Sequence, residues 1–184
     1  MNPFVHFCKD RELKSKIAEQ RNRLYRIAYS WCHDEALSDD LTQETITKAL
    51  KKYGSLKNPD SLNCWLYGIL ANCWRDHFRR SREHEDIDSC VFTSDITPES
   101  EYNRQYITDT ILNAVAELPI SQRQTLTLVD LEGFSYAEVA EILQTPIGTV
   151  MSRLCRARKG LTKQLLNLKT QSREDQTPFL RRVK

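Results

Sequence analysis

The sequence predicts an all-α protein of two small helical domains joined by a flexible acidic linker. Three observations carry that prediction. Apolar residues recur at helical spacing through most of the 184 residues, and no segment alternates polar and apolar as a half-buried strand does. An aperiodic stretch from Glu83 to roughly Pro98 divides the chain, and between Glu83 and Glu101 seven acids occur without a Lys or Arg. Beyond it, Ser135 to Arg158 reads as two short helices joined by a tight turn, the second carrying arginines and no acid.

Taken in order, a first helix runs through Leu24, Ile27, Ala28 and Trp31. A second follows Ser38, carries Leu41, Thr45, Ile46, Ala49 and Leu50, and ends near Gly54. Asn58-Pro59 opens a third, with Leu62, Leu66, Ile69, Leu70 and Cys73 on one side. Past the linker, Thr97-Pro98 caps a helix with Ile107, Ile111, Leu112, Val115 and Leu118, which Pro119 ends. Ser121 with Gln124 has the spacing of a capping box for a helix through Leu126, Leu128 and Leu131, and Gly133 breaks it. Ser135 with Glu138 is another capping box, opening a helix with Val139, Ala140 and Leu143. Thr145-Pro146 is a further start signal, a hydroxyl cap before a proline at the first helical position. Val150, Leu154 and Ala157 form the buried stripe of that last helix.

Net charge is only +2 and mean hydropathy −0.58, but the charges are segregated. Asp34 to Glu44 holds five acids and no base; Arg75 to Arg82 holds four arginines against Asp76; Arg153 to Lys169 holds six bases and no acid. Such blocks predict several differently charged surfaces and more than one kind of partner. No apolar run reaches membrane-spanning length, and the N-terminus lacks the pattern of a signal peptide. The six cysteines are scattered without a C-x-x-C pair, which predicts reduced thiols in a cytoplasm. His6, Cys8, Cys32 and His33 could ligate zinc only if the fold brought them together, and their spacing is not that of a tetrahedral site. No cofactor or metal is expected, and no nucleophile–base pair or phosphate-cradling glycine loop points to an enzyme.

Two segments suit nucleic acid. In the last helix Ser152, Arg153, Arg156 and Lys159 lie off the apolar stripe, free to meet phosphates or base edges in a major groove. In the third helix Tyr67, Trp74 and Phe78 flank the stripe on one side while Asn72, Arg75 and Arg79 occupy the other, a combination that suits unpaired bases. Trp65 and Trp74 are expected in the core.

The blocks Asp39-Asp-Leu-Thr-Gln-Glu-Thr45, Trp65-Leu-Tyr-Gly-Ile-Leu-Ala-Asn-Cys-Trp-Arg-Asp76, Leu118-Pro119, Gly133-Phe-Ser-Tyr-Ala-Glu-Val-Ala140 and Gly148-Thr-Val-Met-Ser-Arg153 stand in this order. Together they closely resemble the extracytoplasmic-function (ECF) sigma factors of bacterial RNA polymerase, over roughly residues 20–168. The resemblance implies a variable segment (1–19), a sigma-2 domain (20–83), an acidic linker (84–103), a sigma-4 domain (104–168) with its helix-turn-helix at 135–160, and a basic tail (169–184). It implies a non-enzymatic, cytoplasmic factor that gives core polymerase its promoter choice and helps open the duplex, in a stress or envelope response under an anti-sigma factor. Asp39, Asp40, Gln43 and Glu44 would dock on the clamp helices of the largest polymerase subunit, and sigma-4 on the flap of the second. Asn72 would trap a base of the opened −10 element, with Lys48, Lys52, Arg75, Arg79 and Arg80 beside it. Ser152, Cys155 and Arg156 would face bases of the −35 element, and Thr149, Arg153, Arg158 and Lys159 would make phosphate or packing contacts. Met151 stands where the family commonly has a basic residue, and Gln144 replaces the usual turn glycine, which predicts modest backbone strain or a slightly different turn. The two domains of the free factor are expected to move about the linker. The competing reading is a helix-turn-helix regulator acting on duplex DNA without polymerase, which has no use for the Trp65–Arg80 segment or the acidic Asp39-Asp40 helix.

Overall fold

A computed structural model describes residues 3–56, 58–84, 111 and 113–174; side chains are described for residues 11–56, 58, 60–80, 111 and 113–166. Helices dominate, and there is no strand among the described residues. In chain order they are α1 (Pro3–Glu19), α2 (Arg21–Cys32), α3 (Glu35–Lys52), α4 (Leu62–His84), α5 (residues 113–116), α6 (Ile120–Leu126), α7 (Tyr136–Leu143) and α8 (Ile147–Glu174). Short 3₁₀ turns at Tyr53–Ser55 and Pro59–Ser61 link α3 to α4.

The expected apolar stripes become the core. Leu24, Ile27, Ala28 and Trp31 of α2 are buried against Leu41 and Ala49 of α3 and Leu62, Leu66, Leu70, Cys73 and Trp74 of α4. Trp74 is core, its ring edge-on to Trp31 at 6.0 Å, whereas Trp65 is half-buried. The hydroxyls of Thr42 and Thr45 donate to the carbonyls of Ser38 and Leu41 one turn back, so the buried threonines leave no donor unmet.

Several local expectations are corrected. Residues 1–19 contain α1, which sends Ile17 and Leu13 into the core; two apolar residues four apart are too thin a stripe to be seen in sequence. Helix α3 starts before Ser38: Asp34 is extended (φ −129°, ψ 120°) and its carboxylate accepts from the Leu37 amide at 2.8 Å, while Ser38 is buried inside the helix. Glu83 and His84 continue α4, and α8 carries the first residues of the expected tail to Glu174. Ser121 and Gln124 make no capping box, because α6 begins at Ile120 directly after Pro119. Thr145 does not cap α8: its hydroxyl has no hydrogen bond and Pro146 immediately precedes the helix. The remainder of the linker and the helix opening at Thr97-Pro98, as far as residue 110, lie outside the described residues, as does the tail beyond Glu174.

After α6 the chain makes a π-helical turn, Thr127–Leu131, in which the Glu132 amide donates to the Thr127 carbonyl at 3.1 Å. The wider turn shifts the register, so Leu128 is fully buried while Leu131 is 68% exposed. Gly133 then takes φ +77°, a left-handed conformation that reverses the chain and favours glycine. The Ser135–Glu138 capping box forms in full at the start of α7. That helix ends in a Schellman motif, with Gln144 left-handed at φ 53° and the Thr145 amide donating to the Ala140 carbonyl at 3.0 Å. The strain expected at Gln144 is therefore present.

The two halves are in contact. Leu128, Val139, Ile142, Leu143 and Val150 share one apolar cluster with the core of the first half, while Val115, Leu118, Leu126, Leu154 and Ala157 form a second.

Candidate nucleic-acid interface

Helix α8 presents one face to solvent. Val150, Leu154 and Ala157 are buried on one side; Met151, Cys155, Arg156 and Lys159 are exposed on the other, and Thr149, Ser152 and Arg153 are half-buried between them. Arg156 donates to the Ser152 carbonyl at 3.2 Å and hydroxyl at 3.3 Å, which lays the guanidinium along the helix. Arg158 is committed elsewhere: it grips Asp130 through both carboxylate oxygens at 3.1 and 2.5 Å, tying α8 to the π turn. Ile147, Met151 and Cys155 recur at one-turn spacing, and all three are exposed. They form an apolar stripe flanked by cations.

The second set of candidates sits where α3 crosses α4. Lys48 Nζ lies 2.9 Å from Glu44 and 3.8 Å from Asp76; Arg79 meets Asp76 at 3.1 Å and Arg80 reaches Glu44 at 4.0 Å. The hydrogen bond it donates to the Glu44 carboxylate raises the pKa of the Lys48 ammonium above its ordinary value. Sequence assigned Glu44 to one partner and Lys48, Arg79 and Arg80 to another; the fold joins them in one network. Asn72 is half-buried and Lys52 exposed. Asp39 pairs with Arg21 at 2.7 Å, and Asp40 and Gln43 are exposed beside it. Tyr25, Arg26 and Glu35 complete a groove between α2 and α3 at this acidic end. Arg75 does not join the other cations. Its Nη1 donates to Gln144 Oε1, in the turn before α8, at 2.9 Å.

Sequence reading missed a set of residues that join the halves. Arg123 of α6 donates to the carbonyl of Trp31 at 2.6 Å, to that of Leu118 at 3.1 Å and to that of Ala116. One guanidinium thus serves carbonyls at the C-terminal ends of α2 and α5, which carry the negative end of a helix dipole. Trp31 Nε1 donates to Thr127 Oγ1 at 2.9 Å. Arg23 binds Glu132 through Nη2 at 2.7 Å and Nε at 3.1 Å. The Tyr67 and Phe134 rings meet edge-on at 5.1 Å, and burial with the Glu132 carboxylate nearby raises the Tyr67 phenol well above its ordinary range. Burial, with Glu141 and Glu138 nearby, pushes the Cys64 thiol up to about 11, so this interface cysteine is protonated at neutral pH. No periodicity signals these residues; the departure at Gln144 was the one hint.

The described cysteines Cys32, Cys64, Cys73 and Cys155 are free. Cys32 is hydrogen-bonded to the Ala28 and Asp34 carbonyls and to Ser38; the side chains of His6 and Cys8 lie outside the described residues. Among the described residues there is no group of three or more metal-ligating side chains, and no helix long and apolar enough to cross a membrane.

Comparison with known proteins adds to this geometry. Residues 17–84 match the family model of Sigma-70 region 2, and residues 108–161 that of Sigma-70 region 4. The ECF RNA polymerase sigma factor EcfG of Rhodopseudomonas palustris is 37% identical over 145 residues, covering 78% of each chain. RNA polymerase sigma factor SigV of Bacillus subtilis is 31% identical over 152 residues, 81% of this chain and 88% of that one. Among solved structures, the sigma factor RpoE of Bartonella quintana, in complex with the anti-sigma factor NepR, superposes with a TM-score of 0.71. It is 30% identical, over 84% of this chain and 96% of that one.

Proposed function

Because this chain belongs to the ECF sigma factors, we propose that it binds core RNA polymerase in the cytoplasm, carries no catalysis of its own, and directs initiation by reading two promoter elements through α4 and α8. The observation that carries the reading is the pairing of two helical readers in one chain: an exposed cationic helix after a helix-turn-helix, and an arginine-rich helix crossing an acidic one. A regulator of duplex DNA needs only the first.

In this reading Asp39, Asp40 and Gln43 meet the polymerase clamp, where an acidic surface gains association rate and orientation from a basic partner. Glu44 belongs to both surfaces. Asn72, at the edge of the α4 core, takes a base from the opened strand, and Lys48, Lys52, Arg75, Arg79 and Arg80 hold the phosphates around it. On α8, Ser152, Cys155 and Arg156 read base edges while Thr149, Arg153 and Lys159 hold the backbone. Arg158 keeps α8 on the π turn. An anti-sigma factor is the expected regulator, since the RpoE relative was solved in complex with one.

The test is in-vitro transcription with purified core polymerase on a pool of promoter fragments. Start sites that require the protein and disappear with Asp40→Ala or Asn72→Ala support the reading. A discrete footprint by the protein alone, without polymerase-dependent starts, would leave a duplex-binding regulator.

A further inference from the structure

We infer that α1 is a nucleic-acid-binding element: with the C-terminal end of α3 it forms a phosphate track for the unpaired strand that leaves the −10 element toward the start site. The inference rests on the sigma-factor reading and extends it to a helix that reading leaves unassigned. Most of α1 precedes the residues that match region 2, 17–84.

The crossing of α3 and α4 places the track. Glu44 meets Arg80 and Lys48 meets Asp76, so the two helices run antiparallel there. One turn further along α3 and one turn back along α4, Lys52 comes level with Asn72. Tyr53 follows, and Lys14 of α1 sets its ammonium over the Tyr53 ring, 4.8 Å from the centroid. Helix α1 is seated by Ile17, fully buried, and by Leu13, packed on the same core. Arg11 stands three residues before Lys14 and so on the same flank of the helix. Arg11, Lys14, Lys51 and Lys52 are all exposed.

These four cations differ from their neighbours in having no acid to hold them. Ion pairs engage Lys48, Arg79 and Arg80 at the crossing, and Lys16 with Glu12 on the other flank of α1. Among the described residues none of the four joins an ion pair. Lys51 and Lys52 complement the dipole at the end of α3, which accounts for neither residue of α1. Lys14 lays its charge on an aromatic face at the surface, where a phosphate can meet it without displacing a carboxylate.

The ends of α4 give the track its direction. Arg75, Arg79 and Arg80 lie toward the C-terminal end, from which the chain runs on to the −35 reader. Helix α1 lies at the opposite end: Lys16 feels the charges of Glu12, Glu19 and Asp60, the last in the turn that opens α4. A strand held at Asn72 therefore runs upstream along the α4 arginines and downstream past Lys52 toward Lys14 and Arg11. A row of exposed cations suits an unpaired backbone of any sequence, since each neutralised phosphate releases counterions.

Holoenzyme made from core polymerase and the full chain, titrated with two fork templates, tests this. Both forks are double-stranded through the −35 element. In one the unpaired strand ends with the −10 element; in the other it continues as a run of thymidines, which offers phosphates without sequence. The double variant Arg11→Gln, Lys14→Gln should bind the short fork as wild type does and the long fork more weakly. Losing two phosphate contacts on a single strand lowers the salt slope by about 1.4, so the wild-type advantage on the long fork shrinks about sevenfold from roughly 50 to 200 mM salt. Lys14→Arg should keep the advantage, and Lys16→Gln, on the other flank, should change nothing. Equal binding of the long fork by wild type and double variant, or an equal loss with Lys16→Gln, would overturn the inference. So would a loss shared by the short fork, or weaker binding of core itself, which would make α1 a structural support or a polymerase contact. No binding of either fork by wild-type holoenzyme would overturn the sigma-factor reading, and the inference with it.

Discussion

Thr127→Val tests the interior of the domain contact most directly. Valine keeps the shape of threonine and removes the oxygen that accepts from Trp31 Nε1 at 2.9 Å. Both partners are buried, Trp31 at 1% and Thr127 at 0% exposure, so water cannot replace the lost acceptor. An orphaned buried donor costs about 1–3 kcal/mol, which for a chain of this length lowers Tm by roughly 2–12 °C. Trp31→Phe removes the donor instead. The Thr127 hydroxyl then keeps its bonds to the carbonyls of Arg123 and Gln124, at 3.0 and 3.2 Å, and is not orphaned. The double variant contains no unmatched donor, so its loss should fall short of the sum of the single losses by about 1–2 kcal/mol. Denaturant unfolding followed by circular dichroism gives all four corners of the cycle. Additivity within about 0.5 kcal/mol would refute the assignment of this bond as a buried tie between the halves.

Two further outcomes are expected. Burial, and to a lesser degree Arg123, hold the pKa of His33 below its ordinary value; the unfolded chain therefore takes up the proton first. The associated stability is complete above an unfolded pKa of about 6.5 and is lost as pH falls through the lower folded value. Thermal melts at stepped pH should show wild-type protein losing stability on acidification faster than His33→Asn, a residue that accepts the φ of 54° there; parallel curves would count against it. On α8, the exposed Ile147, Met151 and Cys155 suit thymine methyls. Replacing a contacted −35 thymine by uracil removes one methyl worth about 0.8 kcal/mol, a three- to fourfold loss of open-complex formation that Met151→Ala should largely abolish; equal rates on both templates would exclude the contact.

The stripes that build the core were legible because helical burial repeats on a fixed period: Leu24, Ile27, Ala28 and Trp31, or Val150, Leu154 and Ala157, all lie where periodicity puts them. Start signals were legible only where one candidate stood alone. Ser135 caps α7 as read, but Asp34 takes the position that Ser38 suggested, and Pro119 displaces Ser121. Leu131 shows why periodicity fails across a π turn, since one added residue carries the next side chains to a new face. The packing of the two halves against each other was not legible at all. Arg123, Thr127 and Glu132 sit among polar neighbours with no motif, and their partners, Arg23 and Trp31, lie about a hundred residues away in sequence.

The network where α3 crosses α4 has a consequence for how the chain meets DNA in salt. Lys48, Arg79 and Arg80 each lie within 4.0 Å of a carboxylate, as Arg158 does on the other half. A phosphate that takes such a cation sheds its condensed counterions, but it also strips the protein of an internal pair and leaves Glu44, Asp76 or Asp130 to recruit cations from solution. Ion release from the nucleic acid is then partly matched by ion uptake at the protein. Affinity should fall with salt less steeply than the ~0.9 per contacted phosphate expected of unpaired cations on B-DNA, and a polymerase contact that occupied Glu44 would steepen it.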